Sequence, residues 1–119
     1  MHSWVDGQPA ETVPLKDRGL AYGDGVFETI SVKAGIPVLI DRHFQRLAEG
    51  CRRLVLDADQ PLIRSEVLEY ADLLGNGVLK LILTRGDSER GYWTNQGSLV
   101  RRILQGGPLA IYPQNYRTE

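Results

Sequence analysis

Three glycines and two aspartates precede a strand-like run in the segment DRGLAYGDGVFET, residues 17–29. Glycines at this spacing let the backbone turn sharply and approach a ligand closely. Phe27 and Thr29 occupy alternate positions, so both should point to one face of a strand, while Glu28 points the other way and forms a structural pair. The segment therefore predicts a ligand-binding site at the start of a strand, which is a rigid element. The alternative is that Phe27 and Thr29 face the core.

Two further positions carry residue types that suit anions. Arg46 is predicted to lie on the flank of a helix, and Arg90 and Tyr92 fall in a polar loop. A guanidinium is always charged and offers a planar fork of donors to phosphate or carboxylate oxygens. The residues alone leave the alternatives open. These are a solvated helix arginine for Arg46 and an ordinary surface arginine for Arg90.

The remaining reactive side chains predict neither a metal site nor a nucleophilic triad. His2, His43 and the single cysteine, Cys51, show no metal-ligand spacing with the scattered acids. Cys51 falls on a helical apolar stripe and is predicted to be a buried core thiol. His43 is predicted to pack or cap. Lys80 lies inside a predicted strand and is expected to be a solvent-face residue.

Composition predicts one ordinary soluble domain, since 42% of the 119 residues are hydrophobic and 24% are charged. A net charge of −1 with mixed signs argues against nucleic acid or a membrane surface as the main partner. No apolar run approaches the roughly 20 residues of a membrane span, and no secretory signal is recognised. One cysteine cannot form an internal disulfide, which favours the cytoplasm.

Hydrophobic patterning predicts strands, then two helices, then strands. The predicted strands are Trp4–Val5 and Glu11–Val13 around a hairpin turn, Phe27–Lys33, Ile36–Ile40 at a sheet edge, Val78–Arg85, Val100–Leu104 and Leu109–Tyr112. The predicted helices run from Arg42 to Leu56 after an N-cap at Asp41, and from about Asp59 to Leu74 before Gly75. This order is typical of an α+β domain in which two helices cover a mainly antiparallel sheet.

Four segments occur together in the order and spacing of a known family. They are DRGLAYGDGVFET, DRHFQRL (41–47), NGVLKLILTRG (76–86) and RGY (90–92). Together they resemble the N-terminal domain of the class IV aminotransferases, which are the fold-type IV pyridoxal-phosphate enzymes. The segment at 76–86, followed by RGY and RRIL, favours the lyase branch that acts on 4-amino-4-deoxychorismate over the branched-chain and D-amino-acid transaminases. The resemblance covers nearly the whole chain.

The resemblance implies a role for each candidate residue. Arg46, in the QRL triplet, would contact the phosphate of pyridoxal 5'-phosphate. Phe27 would form a wall of the substrate pocket, and Thr29 would lie near the reacting carbons, where a hydroxyl can relay a proton. Arg90 and Tyr92 would hold a substrate carboxylate, often from the partner subunit of a homodimer.

The resemblance also implies a longer enzyme. The Schiff-base lysine of the family lies in a C-terminal domain, and none of Lys16, Lys33 and Lys80 matches it. We therefore expect residues 1–112 to be the N-terminal domain and residues 113–119 an interdomain linker, with the C-terminal domain outside this chain. The complete cytoplasmic enzyme is expected to convert 4-amino-4-deoxychorismate to 4-aminobenzoate and pyruvate in folate biosynthesis, with no metal.

Two other interpretations stay open. One is a class IV aminotransferase that acts on D- or branched-chain amino acids with the same fold. The other, from a different class, is a non-catalytic dimerisation or binding module, if the chain is complete at residue 119.

Overall fold

An antiparallel sheet with two helices on one face is the frame of this chain. The structure is a computed structural model that describes residues 1–87 and 100–108. Its elements are β1 Trp4–Val5, β2 Gln8–Pro9, α1 Arg18–Tyr22, β3 Gly25–Lys33, β4 Ile36–Pro37, α2 Ile40–Leu54, α3 Gln60–Leu74, β5 Gly77–Thr84 and β6 Arg101–Gly107. The strands pair antiparallel in the order β2-β1-β6-β5-β3-β4. The predicted α+β fold class is confirmed.

The two faces of the sheet differ in burial because successive side chains of a strand point to opposite sides. One face is buried, and its side chains are Ile30 and Val32 of β3, Leu79, Leu81 and Leu83 of β5 and Leu104 of β6. On the other face Phe27, Thr29 and Lys80 are exposed. We call this second face, which carries Phe27, Thr29 and Lys80, the open face. It carries α1 at one end, and residues 10–13 line cavities with its side chains Ile82 and Ile103.

Helices α2 and α3 cover the buried face. Their buried residues recur at helical spacing, as an amphipathic helix requires, and are Phe44, Leu47 and Cys51 of α2 and Ile63, Val67, Tyr70 and Ala71 of α3. The Cys51 side chain belongs to this core, so the predicted buried thiol is confirmed. Within residues 1–87 and 100–108, no helix has both the length and the apolar character needed to cross a bilayer.

The ends of α3 follow the prediction, whereas the start of α2 does not. Asp59 caps α3 by accepting a hydrogen bond from the backbone N–H of Leu62 at 3.1 Å, and Gly75 ends the helix. The predicted N-cap of α2, Asp41, is wrong. Leu39 holds the cap position in the left-handed region, with φ 58°, and makes no side-chain cap bond. Asp41 lies in the first turn, where Arg64 of α3 donates to it at 2.5 Å.

The N-terminal hairpin is shorter than predicted. Strand β1 returns directly through Asp6 and Gly7, both with positive φ, into β2 at Gln8–Pro9, so the predicted strand at Glu11–Val13 is wrong. Two central residues with positive φ match the twist of adjoining antiparallel strands, which favours this tight turn.

Strands β4 and β6 also differ in length from the prediction. Strand β4 lies at the sheet edge as expected but ends at Pro37. Strand β6 continues to Gly107 because Gly106 leaves room for Tyr70, whose Cε1 atom would lie 2.7 Å from a Cβ there. The predicted strand at Leu109–Tyr112 and the predicted linker at 113–119 lie outside the described residues.

Candidate active site

The glycine-rich segment folds as a short helix followed by a turn. Asp17 caps α1, and its Oδ1 atom accepts a hydrogen bond from the N–H of Leu20 at 3.1 Å. Gly23 ends the helix in the left-handed region, with φ 66°, where a residue without Cβ carries no steric cost. The sequence predicts the sharp turn of this segment, whereas it does not predict the helix before the turn. Five residues are too few to show helical periodicity, and a helix this short depends on tertiary contacts.

Two of the glycines allow close packing against β5. A Cβ on Gly19 would lie 2.4 Å from the Cγ2 atom of Thr84, and one on Gly25 would lie 2.5 Å from the carbonyl oxygen of Leu83. Both distances are far below van der Waals contact. A side chain at Gly25 would therefore require backbone movement, and one at Gly19 would require the Thr84 side chain to shift. The glycines therefore allow α1 and the start of β3 to approach strand β5 closely.

A buried carboxylate holds α1 to the sheet. Asp17 is 1% exposed. Its Oδ2 atom accepts hydrogen bonds from the Thr84 hydroxyl at 2.7 Å and from Nη1 of Arg101 at 2.6 Å. The same Nη1 group donates to Asp87 at 2.7 Å. Hydrogen bonding to Asp87, and then to Asp17, raises the pKa of Arg101 against the opposing effect of burial. Asp17 therefore joins α1, β5 and β6.

A second carboxylate ties the turn after α1 to helix α2. Asp24 accepts hydrogen bonds from Nε of Arg18 at 2.8 Å and from Nε of Arg85 at 2.7 Å. Burial acts to raise the pKa of Asp24, but the bonds from Arg85 and Arg18 outweigh it, and the pKa lies below its usual value. Arg85 also donates to the carbonyls of Leu54 and Val55. A cation at a helix C-terminus is electrostatically favourable.

Phe27 and Thr29 lie together on the open face of the sheet. Phe27 is 63% exposed and pairs across the ladder with Ile82, and Thr29 is exposed and pairs with Lys80. The alternative in which both residues face the core is therefore wrong. The exposure predicted for Lys80 is confirmed, but on the face that carries Phe27 and Thr29. Its Nζ atom lies 5.0 Å from the centroid of the Phe27 ring.

A cavity of about 440 Å³ lies between α1 and this open face. The residues that line it include Gly19, Leu20, Gly25, Phe27, Ile82 and Ile103. Its volume falls in the usual range of small-molecule pockets, about 300–1,000 Å³, and such pockets are lined mainly by apolar groups. Phe27 therefore borders the apolar cavity and also lies beside the Lys80 ammonium group.

Arg46 projects from α2, and its guanidinium contacts a residue of β3. Its side chain is 62% exposed, and its Nη2 atom donates to Oε1 of Glu28 at 2.8 Å. The Nδ1 atom of His43 lies 2.6 Å from the same oxygen. The structural pair expected for Glu28 is present. Because Glu28 points to the helix-covered side, Arg46 meets β3 on the side opposite Phe27 and Thr29.

The sequence predicts Lys80 as a solvent-face residue and assigns it no role in the site. Lys80 alternates with apolar residues in VLKLILT, so its place on the open face could be predicted. Its pairing with Thr29 required the register of β3 against β5. Arg90 and Tyr92 lie outside the described residues.

Comparison with known proteins identifies a family. The sequence profile described as "Amino-transferase class IV" matches residues 25–116. The crystal structure of 4-amino-4-deoxychorismate lyase from Pseudomonas aeruginosa is 51% identical in sequence, with a TM-score of 0.91 over 96% of this chain and 42% of its own. A putative branched-chain-amino-acid aminotransferase of Methanocaldococcus jannaschii is 32% identical over 94 residues, 74% of this chain and 32% of its own length.

A third similar protein has been solved with a cofactor. It is a hypothetical aminotransferase from Mycobacterium tuberculosis in its PLP-bound form, 27% identical, with a TM-score of 0.75 over 91% of this chain and 39% of its own. This chain thus spans about a third to two-fifths of the length of the proteins it matches. The profile match extends from the first residue of β3 beyond β6, and the same elements superpose on the solved structures. The chain therefore belongs to the class IV aminotransferase family, and its described part has the fold of the fold-type IV enzymes.

Proposed function

We propose that this chain is the N-terminal part of a pyridoxal-phosphate-dependent lyase that converts 4-amino-4-deoxychorismate to 4-aminobenzoate and pyruvate, a reaction of folate biosynthesis. The observation that carries the proposal is the 51% identity to the Pseudomonas aeruginosa lyase over 96% of this chain. Identity to the putative branched-chain aminotransferase is 32%, and to the Mycobacterium tuberculosis aminotransferase 27%. In this proposal a C-terminal domain supplies the Schiff-base lysine, residues 113–119 lead to it, and the enzyme is a cytoplasmic homodimer.

The chain offers a donor that fits the cofactor phosphate. The Arg46 side chain is 62% exposed, and among the described residues its one hydrogen-bond acceptor is Glu28. A guanidinium has five N–H donors in a planar fork, so several remain for phosphate oxygens. The bound cofactor supplies an electron sink for the carbanion at the substrate α-carbon. Arg46 would anchor it at the phosphate end.

The open face fits the substrate by its mixture of groups. The apolar wall of Phe27 and the adjoining cavity suit the carbon ring, and the Thr29 hydroxyl would hold or move a proton beside it. The substrate carries two carboxylates. The Lys80 ammonium, across the ladder from Thr29, suits one of them, and Arg90 and Tyr92 suit the other.

Product analysis tests the proposed reaction. The full-length protein, loaded with pyridoxal phosphate, is given 4-amino-4-deoxychorismate, and 4-aminobenzoate and pyruvate are measured separately. We expect the two products in equal amounts. Transfer of an amino group from D-alanine or a branched-chain amino acid to a 2-oxo acid, without 4-aminobenzoate, would establish the aminotransferase alternative. A full-length protein that neither binds cofactor nor turns over either substrate would establish the binding module.

A matched pair of variants tests the role of Thr29. Thr29→Val keeps the shape of the side chain and removes the hydroxyl, so we expect kcat to fall by about 10²-fold, the lower range for a proton-transfer group. Thr29→Ser keeps the hydroxyl and should retain most of the activity. Cofactor affinity should be the same in both, and a Val variant with normal kcat would remove Thr29 from the mechanism.

A further inference from the structure

The carboxylate of Glu28 is shared by two residues of helix α2. Its Oε1 atom lies 2.6 Å from Nδ1 of His43 and 2.8 Å from Nη2 of Arg46. A carboxylate only accepts hydrogen bonds, so both nitrogens act as donors to one oxygen. His43 and Arg46 stand three positions apart on α2, which places them on the same helix face.

Burial differs sharply within this cluster of Glu28, His43 and Arg46. The side chains of Glu28 and His43 are 11% and 14% exposed, whereas that of Arg46 is 62% exposed. The acceptor and its second donor are thus held inside the protein, and the guanidinium projects from them. The Nη2 side of Arg46 is engaged by the buried carboxylate, and its other N–H groups remain on the exposed side.

An exposed arginine without such an anchor samples many rotamers, and binding an anion would have to restrict them. A guanidinium already fixed at one edge is pre-organised, so less freedom is lost for each hydrogen bond it forms. Among the described residues Glu28 is the group that provides this anchor. Its position between Phe27 and Thr29 also ties the anchor to the strand that presents the open face.

We propose that Glu28 is a positioning residue for Arg46, which it holds with its free N–H edge turned to the phosphate of the cofactor, while His43 fixes the carboxylate. The inference rests on the proposed function, because Arg46 is the phosphate anchor there. Glu28 should therefore affect the binding of ligands that carry the phosphate group and leave the binding of ligands without it unchanged. The opposite effect, in which the carboxylate competes with phosphate for Arg46, would make its removal strengthen binding.

Cofactor affinity with and without the phosphate group tests this role. Dissociation constants of pyridoxal phosphate and of pyridoxal are measured by equilibrium dialysis on the full-length protein. Glu28→Gln keeps the shape and removes the charge, and it should weaken pyridoxal phosphate binding by about tenfold, the range of one charge-assisted hydrogen bond. Pyridoxal binding should not change. Glu49→Gln is the control, because Glu49 pairs with Arg52 and Arg53 on the same helix.

A double variant separates positioning from general damage. In an Arg46→Ala background, Glu28→Gln should have no further effect on pyridoxal phosphate affinity, because the two residues act as one unit. Glu28→Asp withdraws the carboxylate by one carbon and should weaken phosphate-dependent binding in the same way. This variant replaces Glu28→Gln in the test if the Gln variant does not fold.

Each other outcome overturns the inference. These are unchanged or tighter pyridoxal phosphate binding in Glu28→Gln, equal loss of both ligands, and full additivity with Arg46→Ala. Unchanged affinity in Arg46→Ala alone would instead remove the phosphate role of Arg46. The identity of the reaction is decided separately, by its products.

Discussion

The Nζ atom of Lys80 lies 5.0 Å from the centroid of the Phe27 ring. The two side chains project from neighbouring strands on the open face of the sheet, with Lys80 directly opposite Thr29 in the ladder. An exposed cation over an aromatic face gains about 0.5–1 kcal/mol, enough to favour one orientation of a long side chain. The ammonium group is therefore held beside the two residues that the family resemblance assigns to the substrate pocket.

Replacing Lys80 should impair substrate binding and leave cofactor binding intact. Lys80→Met removes the charge and keeps the length, so we expect KM for 4-amino-4-deoxychorismate to rise about tenfold, the effect of losing one charge-assisted hydrogen bond. Lys80→Arg should retain a low KM. Steady-state kinetics and dialysis measure the two affinities. Borohydride treatment followed by peptide mass analysis should find no cofactor on Lys80, and cofactor attached there would assign it a different role.

Removing the charge of Asp17 should strongly destabilise the domain. Asp17→Asn leaves the partly buried Arg101 without its buried partner, and breaking such a pair costs about 3–5 kcal/mol. The free energy of unfolding is measured by urea denaturation. Asp87→Asn is the control, because Asp87 is the more exposed partner of Arg101 and a pair of that kind is worth about 0–1 kcal/mol. Equal losses in both variants would contradict a central role for Asp17.

Asp24 should contribute to acid sensitivity. Its pKa in the folded protein lies below the ordinary value of 3.8. The stabilisation of the folded state by ionised Asp24 is therefore complete above the unfolded pKa of about 3.9, and it is lost as the pH falls through the lower folded pKa. We expect Asp24→Asn to be less stable at pH 7 and to lose less stability than the wild type on acidification below about pH 4.

Urea midpoints measured from pH 7 down to pH 2.5 check this expectation for Asp24. Asp57→Asn, at an exposed position, is the matched control and should keep the acid dependence of the wild type. An Asp24→Asn protein with the same decline as the wild type would show that other carboxylates account for it.

A methyl group at Gly25 should separate β3 from β5. The added Cβ would lie 2.5 Å from the backbone carbonyl oxygen of Leu83, and overpacking of this kind costs about 1–3 kcal/mol. Gly107→Ala is the control, since a Cβ there meets no atom within 4 Å. Urea unfolding should show a loss for Gly25→Ala and little change for Gly107→Ala. If Gly25→Ala is as stable as Gly107→Ala, the two strands accommodate the methyl group without loss of stability.

Prediction succeeded where the signal was local and repeated. Helix α3 carries a periodic apolar pattern between Asp59 and Gly75, and strand β5 carries an alternating one soon after Gly75. The observed ends of both elements lie within a residue or two of the predicted ends. Helix α1 was missed because five residues show no period. Asp41 was misassigned because an aspartate is a good N-cap in isolation, whereas here it meets Arg64 on α3.

The sequence by itself determined the relative orientation of three neighbouring side chains on β3. Alternation along β3 placed Phe27 and Thr29 together and Glu28 opposite, because that period belongs to the strand backbone. Only the tertiary structure decided the partners, which are Lys80 with Thr29, Glu28 with Arg46, and Asp17 with Arg101. These contacts join residues 18 to 84 positions apart. They depend on strand register and helix docking, which the packing of the whole core selects and no local pattern specifies.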